Sequence, residues 1–310
     1  MAERVVITGG AGFIGSHLAR RCVAEGLDVH LIVRPSSSLH RLAGEIDRLT
    51  VHTADLGDEP RLRALLARIA PDRVFHLAAR TRGADAADTL ADARNLLLLL
   101  QLLAEQDRPP SVVVRTGSIA EYGTGPLPYR EDQHEEPETP YAVAHVIGTE
   151  QLRRLASMLT FPVVTVRLAL VYGPGQSEDF LIPAMIRRCL EGQPLTVRHP
   201  DDRRDLLHID DAVEGLMQLS EAKLMGHTVV NLATGVAPSM REAAKLVLAA
   251  TGADPALVTL SDTQPGRTPS ELRAAPDLAQ SLVGWKAALN LADGIEKTVS
   301  AMRSHDRIAA

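Results

Sequence analysis

The chain has 310 residues, 45% of them apolar and 23% charged, with a formal net charge of -6. That length suits about two domains, and the composition is that of an ordinary globular protein rather than a disordered one. The acidic balance excludes a broad attraction to nucleic acid or to anionic membranes, so an anionic ligand has to be held by local arginines and backbone amides.

The start, MAERVVITGG, runs directly into an apolar strand with no signal-peptide core, which predicts a cytoplasmic protein. LLLLLQLLA at 96–104 is far shorter than the roughly 20 residues a bilayer span needs. Cys22 and Cys189, distant in sequence and outside any CxxC, read as small buried hydrophobes in a reducing compartment. The 11 histidines form no metal-ligand pair, and no metal site is expected.

Short β-branched runs alternate with helix-length segments through the first half. VVIT (5–8) precedes a helical pattern to about Gly26, then come DVHLIV (28–33), LTVHTADL (49–56), RVFHLAA (73–79), SVVVRTGS (111–118) and PVVTVRLALVYG (162–173). This order predicts an α/β fold, a Rossmann doubly wound parallel sheet covered on both faces. After Gly173 prolines punctuate the chain, as in a smaller mixed α/β C-terminal substrate lobe. The expected division is 1–173, taking back about 205–234 because TVVNLAT (228–234) reads as a returning strand, against 174–204 with 235–310.

VVITGGAGFIGSH places Gly9, Gly12 and Gly15 between a strand and a helix. In that context the first glycine permits a tight turn and the second lets the backbone approach a pyrophosphate. The third lets helix and sheet pack closely. The pyrophosphate then faces the amides and positive dipole end of the helix. Where an NAD-binding protein usually carries an acidic residue after its second strand, this chain has Val33 and Arg34, and Asp28 lies at the wrong end. A guanidinium suits a 2′-phosphate, with Ser36, Ser37 and Arg41 as helpers. NADP(H) is the expected cofactor, ahead of NAD(H).

Taken together, these motifs resemble the extended short-chain dehydrogenase/reductases, especially those acting on nucleotide sugars, and the resemblance covers nearly the whole chain. TGGAGFIGSH resembles the family's cofactor turn, which adds Phe13 and Ile14 to the cofactor contacts. The resemblance puts Asp55 and Leu56 at adenine, Leu77, Ala78 and Ala79 of FHLAAR along the cofactor, and Asn95 on the next helix. TGSIAEYG carries Ser118 at the family's active-site serine, and TPYAVAH carries Tyr141 at its tyrosine. RLALVYGPGQ, RRDLLHIDD and the tail from PGR (265–267) to VGW (283–285) match its substrate lobe.

The resemblance implies that Tyr141 protonates a carbonyl oxygen as hydride arrives from nicotinamide, while Ser118 hydrogen-bonds that oxygen. The family's lysine, whose charge favours phenolate over phenol, is replaced by His145, one helical turn past Tyr141 on the same face. Imidazole can donate to the cofactor ribose but is no permanent cation. An acid needs only the phenol, already protonated near pH 7, whereas a base needs phenolate. His145 therefore favours a reductase over an epimerase, and Arg34 agrees with it. The family's dehydratases carry Asp-Glu directly after the active-site serine or threonine. Here Ile119 and Ala120 stand there, with Glu121 one residue further and turned to the other face if the segment is extended.

Arg204 matches a substrate-diphosphate arginine of the family and Arg267 lies near a second, although Arg204 also reads as an ion pair with Asp205 or Asp210. Arg80 and Glu121 complete the candidate substrate contacts. Arg80 and Arg82, just past the fourth strand, could reach the site but read more readily as solvated loop arginines. Leu170 stands where nucleotide-sugar members have an asparagine on the diphosphate, which leaves room for a different ketone. LLLLLQLLA reads as a helix buried on the sheet's flank or against another subunit, and the resemblance implies a homodimer through it and the helix after Tyr141. The resulting reading is an NADPH-dependent ketoreductase acting on a nucleotide-linked deoxyhexose. Its rivals are an NAD-dependent nucleotide-sugar epimerase, a reductase of a polyketide or aromatic ketone, and a non-catalytic NADP-binding protein.

Overall fold

A computed structural model describes residues 2–79, 86–262 and 266–309. The chain begins with β1 (Arg4–Thr8), α1 (Phe13–Ala24), β2 (Asp28–Val33), β3 (Thr50–Thr53), α2 (Glu59–Ile69) and β4 (Arg73–His76). It continues through α3 (Ala86–Ala104), β5 (Val112–Ser118), α4 (Pro140–Leu155) and β6 (Val163–Leu168). Then follow β7 (Leu170–Tyr172), α5 (Leu181–Leu190), β8 (Leu195–Arg198), β9 (Arg203–Arg204), β10 (Leu206–His208), α6 (Ile209–Glu221) and β11 (His227–Leu232). The last elements are α7 (Met240–Thr251), β12 (Val258–Ser261), β13 (Glu271–Leu272), α8 (Asp277–Val283) and α9 (Leu291–Ala309).

Two compact units result. The first comprises Met1–Gly125, Glu131–Arg167 and Val213–Val230, and the second Pro126–Arg130, Leu168–Ala212 and Asn231–Ala310. The first carries a seven-stranded sheet in the order β11-β6-β5-β4-β1-β2-β3. Its strands pair in parallel from β3 through β2, β1 and β4 to β5. Parallel strands need crossovers, and the helices between them cover both faces. The strand order reverses between β1 and β4, and in such sheets ligands bind beyond the carboxyl ends of the strands at that reversal. The register Thr8↔His76↔Arg115 brings the turns after β1, β4 and β5 to one edge.

The apolar run at 96–104 lies at the end of α3, where Leu96, Leu99, Leu100, Leu102 and Leu103 are buried with Val6, Val74, Val113 and Phe161. Its burial is thus supplied by the chain's own sheet. α4 starts where Thr139 caps it, the side chain accepting from the Ala142 amide at 3.2 Å, and Pro140 occupies its first position. Both features are typical helix starts, and they set Tyr141 in the first turn.

In the second unit β7 pairs with β10, β8 with β12 and β9 with β13, all parallel. Its core gathers Tyr172, Ile182, Met185 and Ile186 with Met240, Val247, Ile295 and Val299. Trp285 donates to the Asp211 carbonyl at 3.1 Å, and the Asp211 carboxylate accepts the Ala288 and Leu289 amides.

Three sequence expectations are adjusted. The run 162–173 is two strands, because the chain leaves the large sheet at Leu168 and Leu170 pairs with Leu206. Residues 205–212 and 231–234 accordingly group with the second unit, and only 213–230 return to the first. Residues 126–130 also join the second unit, since the Tyr129 amide donates to Arg273 and its carbonyl accepts from Ala275, both at 2.8 Å.

Candidate active site

A cavity of about 910 Å³ opens at the carboxyl edge of the large sheet. Gly9 and Gly12 line it from the turn after β1, Arg34, Ser36, Ser37 and Arg41 from the segment after β2, and Asp55 and Leu56 from that after β3. Leu77, Ala78 and Ala79 after β4 and Asn95 on α3 close the rim. Phe13, Ile14 and Gly15 do not line it; they form the first turn of α1, with Gly15 buried.

The glycines are there for space. Gly9 has φ +73°, and a Cβ on it would stand 2.7 Å from the Leu77 carbonyl carbon and 2.8 Å from the Ala78 nitrogen. A Cβ on Gly15 would collide with the Gly9 carbonyl oxygen. Gly12 caps α1 without a side chain, and no acidic residue occupies the first turn. The opening amides and helix dipole therefore remain for an anion. Arg34 is exposed, and its guanidinium has no hydrogen-bond or ion-pair partner among the described residues. Val33 beside it is buried. The residues present fit a dinucleotide.

Beyond the end of β5, Ser118 and Tyr141 meet. Both are half-buried, and their hydroxyls are hydrogen-bonded. Burial raises the Tyr141 phenol above its usual value, Ser118 opposes that shift, Glu121 adds to it, and Arg115 opposes it. The His145 ring packs edge-on against Tyr141, with centroids 4.6 Å apart at 78°. His145 is itself buried, and burial followed by the charge of Arg115 pushes it down to about 4. It is neutral at pH 7.

Glu121 is not at the surface. The segment after Ser118 is a turn of 3-10 helix over Ile119–Tyr122, so the extended geometry expected there does not hold. The turn is closed by a capping box: Ser118 accepts from the Ala120 amide and the Ser118 amide donates to Glu121 Oε1 at 3.0 Å. This folds Glu121 inward, where it is 0% exposed. Its Oε2 accepts from Thr149 at 2.8 Å and from Arg167 Nε and Nη2 at 3.1 and 3.0 Å. Arg167 also contacts Glu135, which Arg153 holds from the other side. Burial pushes both carboxylates up, but the arginines outweigh it; Glu121 stays below its usual range and Glu135 falls to about 2. A Cβ on Gly117 would collide with Glu121. Glu121 is a structural brace, not a substrate contact.

In the second unit, Arg204 and Arg267 converge on one carboxylate. Arg204 Nη2 bonds Asp202 Oδ2 at 3.1 Å and the Ser270 hydroxyl at 2.8 Å, and Arg267 contacts Asp202 Oδ1. Asp202, neither Asp205 nor Asp210, is therefore the partner of Arg204. Asp205 is buried and accepts from the Thr234 and Gly235 amides, while Asp210 holds Lys297 at 2.5 Å. Leu170 is exposed. Arg80 and Arg82 lie outside the described residues. Among the described residues no group of three His, Cys, Asp or Glu side chains could hold a metal, and no helix is long and apolar enough to cross a membrane.

The sequence reading missed Arg115, Arg167, Glu135 and Thr149. A signal existed for the arginines, since each is a lone charge inside a β-branched run expected to be buried on both faces, where an unpaired charge is costly. Their partners stand up to 46 residues away in the chain, and no local pattern connects them.

Residues 5–233 match the NAD dependent epimerase/dehydratase family. The chain is 32% identical to a UDP-glucose 4-epimerase of Mycolicibacterium smegmatis, over 97% of this chain and 99% of that one. It is 25% identical to a dTDP-4-dehydro-6-deoxy-D-allose reductase of Streptomyces bikiniensis, over 98% and 97%. Its structure is similar to that of MoeE5 in complex with UDP-glucuronic acid and NAD, with a TM-score of 0.82, 27% identity and coverage of 97% and 99%. The fold and these matches define an NAD(P)-dependent extended short-chain dehydrogenase/reductase. The chain belongs to the NAD dependent epimerase/dehydratase family, whose members here include nucleotide-sugar epimerases, dehydratases and reductases.

Two outcomes follow from the buried charges. His145 and His227 are pushed down to about 4 and His76 to about 3, each chiefly by burial. The unfolded chain therefore binds more protons than the folded one below about pH 6.5, and stability falls as pH drops from there toward 4. The slope approaches about 1.4 kcal/mol per pH unit for each histidine, measurable as urea midpoints across that range. Glu121→Gln leaves Arg167 short of a charge in a fully buried site and costs about 3–5 kcal/mol in the same assay.

Proposed function

We propose that this chain is an NADPH-dependent ketoreductase that reduces a keto group on a nucleotide-linked sugar, with Tyr141 as general acid. The observation that carries the reading is the half-buried Tyr141 phenol, hydrogen-bonded to Ser118 and packed on a neutral His145. A phenol held protonated can donate a proton at pH 7 but is a poor base.

The bound dinucleotide would supply hydride to the carbonyl carbon, ending oxidised. Tyr141 gives its proton to the carbonyl oxygen, which becomes the hydroxyl of the product, and the tyrosinate left behind regains a proton from solvent. Ser118 hydrogen-bonds the same oxygen and fixes its direction toward Tyr141. His145, neutral, keeps one ring N–H to offer the cofactor ribose and packs Tyr141 in place. Gly9, Gly12 and the amides opening α1 hold the pyrophosphate, and Asp55, Leu56 and Asn95 shape the adenine end. Arg34, with Ser36 beside it, takes a 2′-phosphate.

On the substrate side, Arg204 and Arg267 are the diphosphate contacts in this reading. The relatives support a nucleotide sugar, since their names carry UDP- and dTDP-linked sugars. A second reading, a nucleotide-sugar epimerase retaining NAD, is favoured by the 32% identity to the mycobacterial epimerase. It differs in consuming no net reducing equivalents.

Calorimetric titration of the nucleotide-free protein separates the two readings at the cofactor. NADPH is expected to bind about tenfold or more tightly than NADH, equivalent to about 1.4 kcal/mol, with the preference lost in Arg34→Ala. Preference for NADH with no loss in that variant moves the epimerase forward. Tyr141→Phe is expected to lower turnover of a 4-keto nucleotide sugar about a hundredfold or more without weakening dinucleotide affinity. Retained turnover removes Tyr141 from the acid's role.

A further inference from the structure

Among the buried charges around Tyr141, one has no countercharge in contact. Arg115 projects from β5 and is 4% exposed. Its Nη2 donates to the His145 carbonyl at 3.1 Å and lies 3.5 Å from His145 Nδ1, and its Nη1 reaches the Thr149 hydroxyl at 3.4 Å. Every one of these partners is neutral. Among the described residues no carboxylate lies within ion-pair distance of it, whereas Arg167 touches both Glu121 and Glu135, and Arg153 takes Glu135 and Glu150.

The space for this guanidinium is built into α4. A Cβ on Gly148 would stand 2.6 Å from Arg115 Nη1 and 2.9 Å from its Cζ and Nη2. The planar group therefore lies flat on the bare backbone of the helix, one to two turns past Tyr141. Guanidinium cannot shed its proton in such a place, because its reference pKa lies far above neutrality. A full positive charge is thus fixed in the interior, with its nearest polar contacts on the helix that carries Tyr141.

We propose that Arg115 is a positioning residue whose fixed positive charge, set against that of Glu121, stabilises the tyrosinate that forms when Tyr141 gives up its proton. The groups that face this pair are few. His145 on α4, His76 from β4 and His227 from β11 are neutral near pH 7 and do not compete. Glu121, from the turn after β5, opposes the effect and weighs more on Tyr141 than Arg115 does, although Arg167 from β6 binds it directly. Arg115 is the one cation of this cluster with no carboxylate in direct contact, and an ion of opposite sign in a poorly solvated site lowers an acid's pKa. The idea rests on the assignment of Tyr141 as the reacting acid, and it explains how a site with a neutral histidine beside its tyrosine can still use that tyrosine.

Tyrosinate formation can be read without substrate or cofactor. The protein has four tyrosines, and Tyr122, Tyr129 and Tyr172 are buried. The ultraviolet difference between the full-length protein and its Tyr141→Phe variant therefore isolates Tyr141. In Arg115→Gln its ionisation is expected to move up by about one pH unit or more, while Arg115→Lys stays near the parent. Gly148→Ala, which displaces the guanidinium but keeps its charge, is expected to give a smaller upward shift, and it carries the test if Arg115→Gln does not fold. An unchanged ionisation in Arg115→Gln, or equal shifts in the Gln and Lys variants, overturns the proposal. Because this titration is independent of turnover, it stands or falls apart from the ketoreductase reading.

Discussion

Glu121 is the point on which the catalytic end of the first unit depends. One carboxylate oxygen takes the Ser118 amide, and the other takes Thr149 on α4 and Arg167 on β6. Three separate elements are thereby referred to one buried charge: the end of β5 with its serine, the helix with its tyrosine, and a central strand of the sheet. In the proposed chemistry the hydroxyls of Ser118 and Tyr141 act on one oxygen, and this brace joins the elements that carry them. The desolvation of such a group is large and is offset only when its lone pairs are nearly all occupied, as they are here.

Around that brace the charges divide into those in direct ion pairs and one, Arg115, that touches only neutral groups. Glu121 and Glu135 are met directly by Arg167 and Arg153, yet Glu121 still pushes the Tyr141 phenol up. The buried His76 and His145 and the partly buried His227 contribute geometry and hydrogen bonds but no charge: Thr8 meets His76 at 2.8 Å, Thr165 meets His227 at 2.9 Å, and His145 carries the Tyr141 ring. The electrostatics of the site are therefore set by permanently charged arginines rather than by groups that titrate near neutrality, and its field should vary little across the physiological pH range.

What the sequence revealed and what it hid follow a physical division. Gly9, Gly12, Arg34, Asp55 and the Leu77–Ala79 segment gather around one cavity as expected, because turns after successive parallel strands open at one edge of the sheet. Ser118 and Tyr141 could be read because each sits in a recognisable local motif. Glu121 was misplaced because its direction depends on whether the chain after Ser118 is extended or coiled, and a capping box decided that. Arg115 and Arg167 stayed unexplained because their meaning lies in partners on other elements. The division between units was misjudged near Leu168 for a related reason: an unbroken β-branched run changes sheets at Ala169, and pairing with a strand 36 residues later is what draws it away.

Gly148 shows how a site like this constrains its own history. A guanidinium lying on bare helix backbone leaves no volume for a methyl group, so positions 115 and 148, 33 residues apart, are not free to drift separately. The arginine lies flat because the glycine is bare, and enlarging the glycine obliges the guanidinium, the far end of a flexible side chain, to move aside. Two positions 33 residues apart in the chain thus share one volume, and a change at either alters the room left to the other.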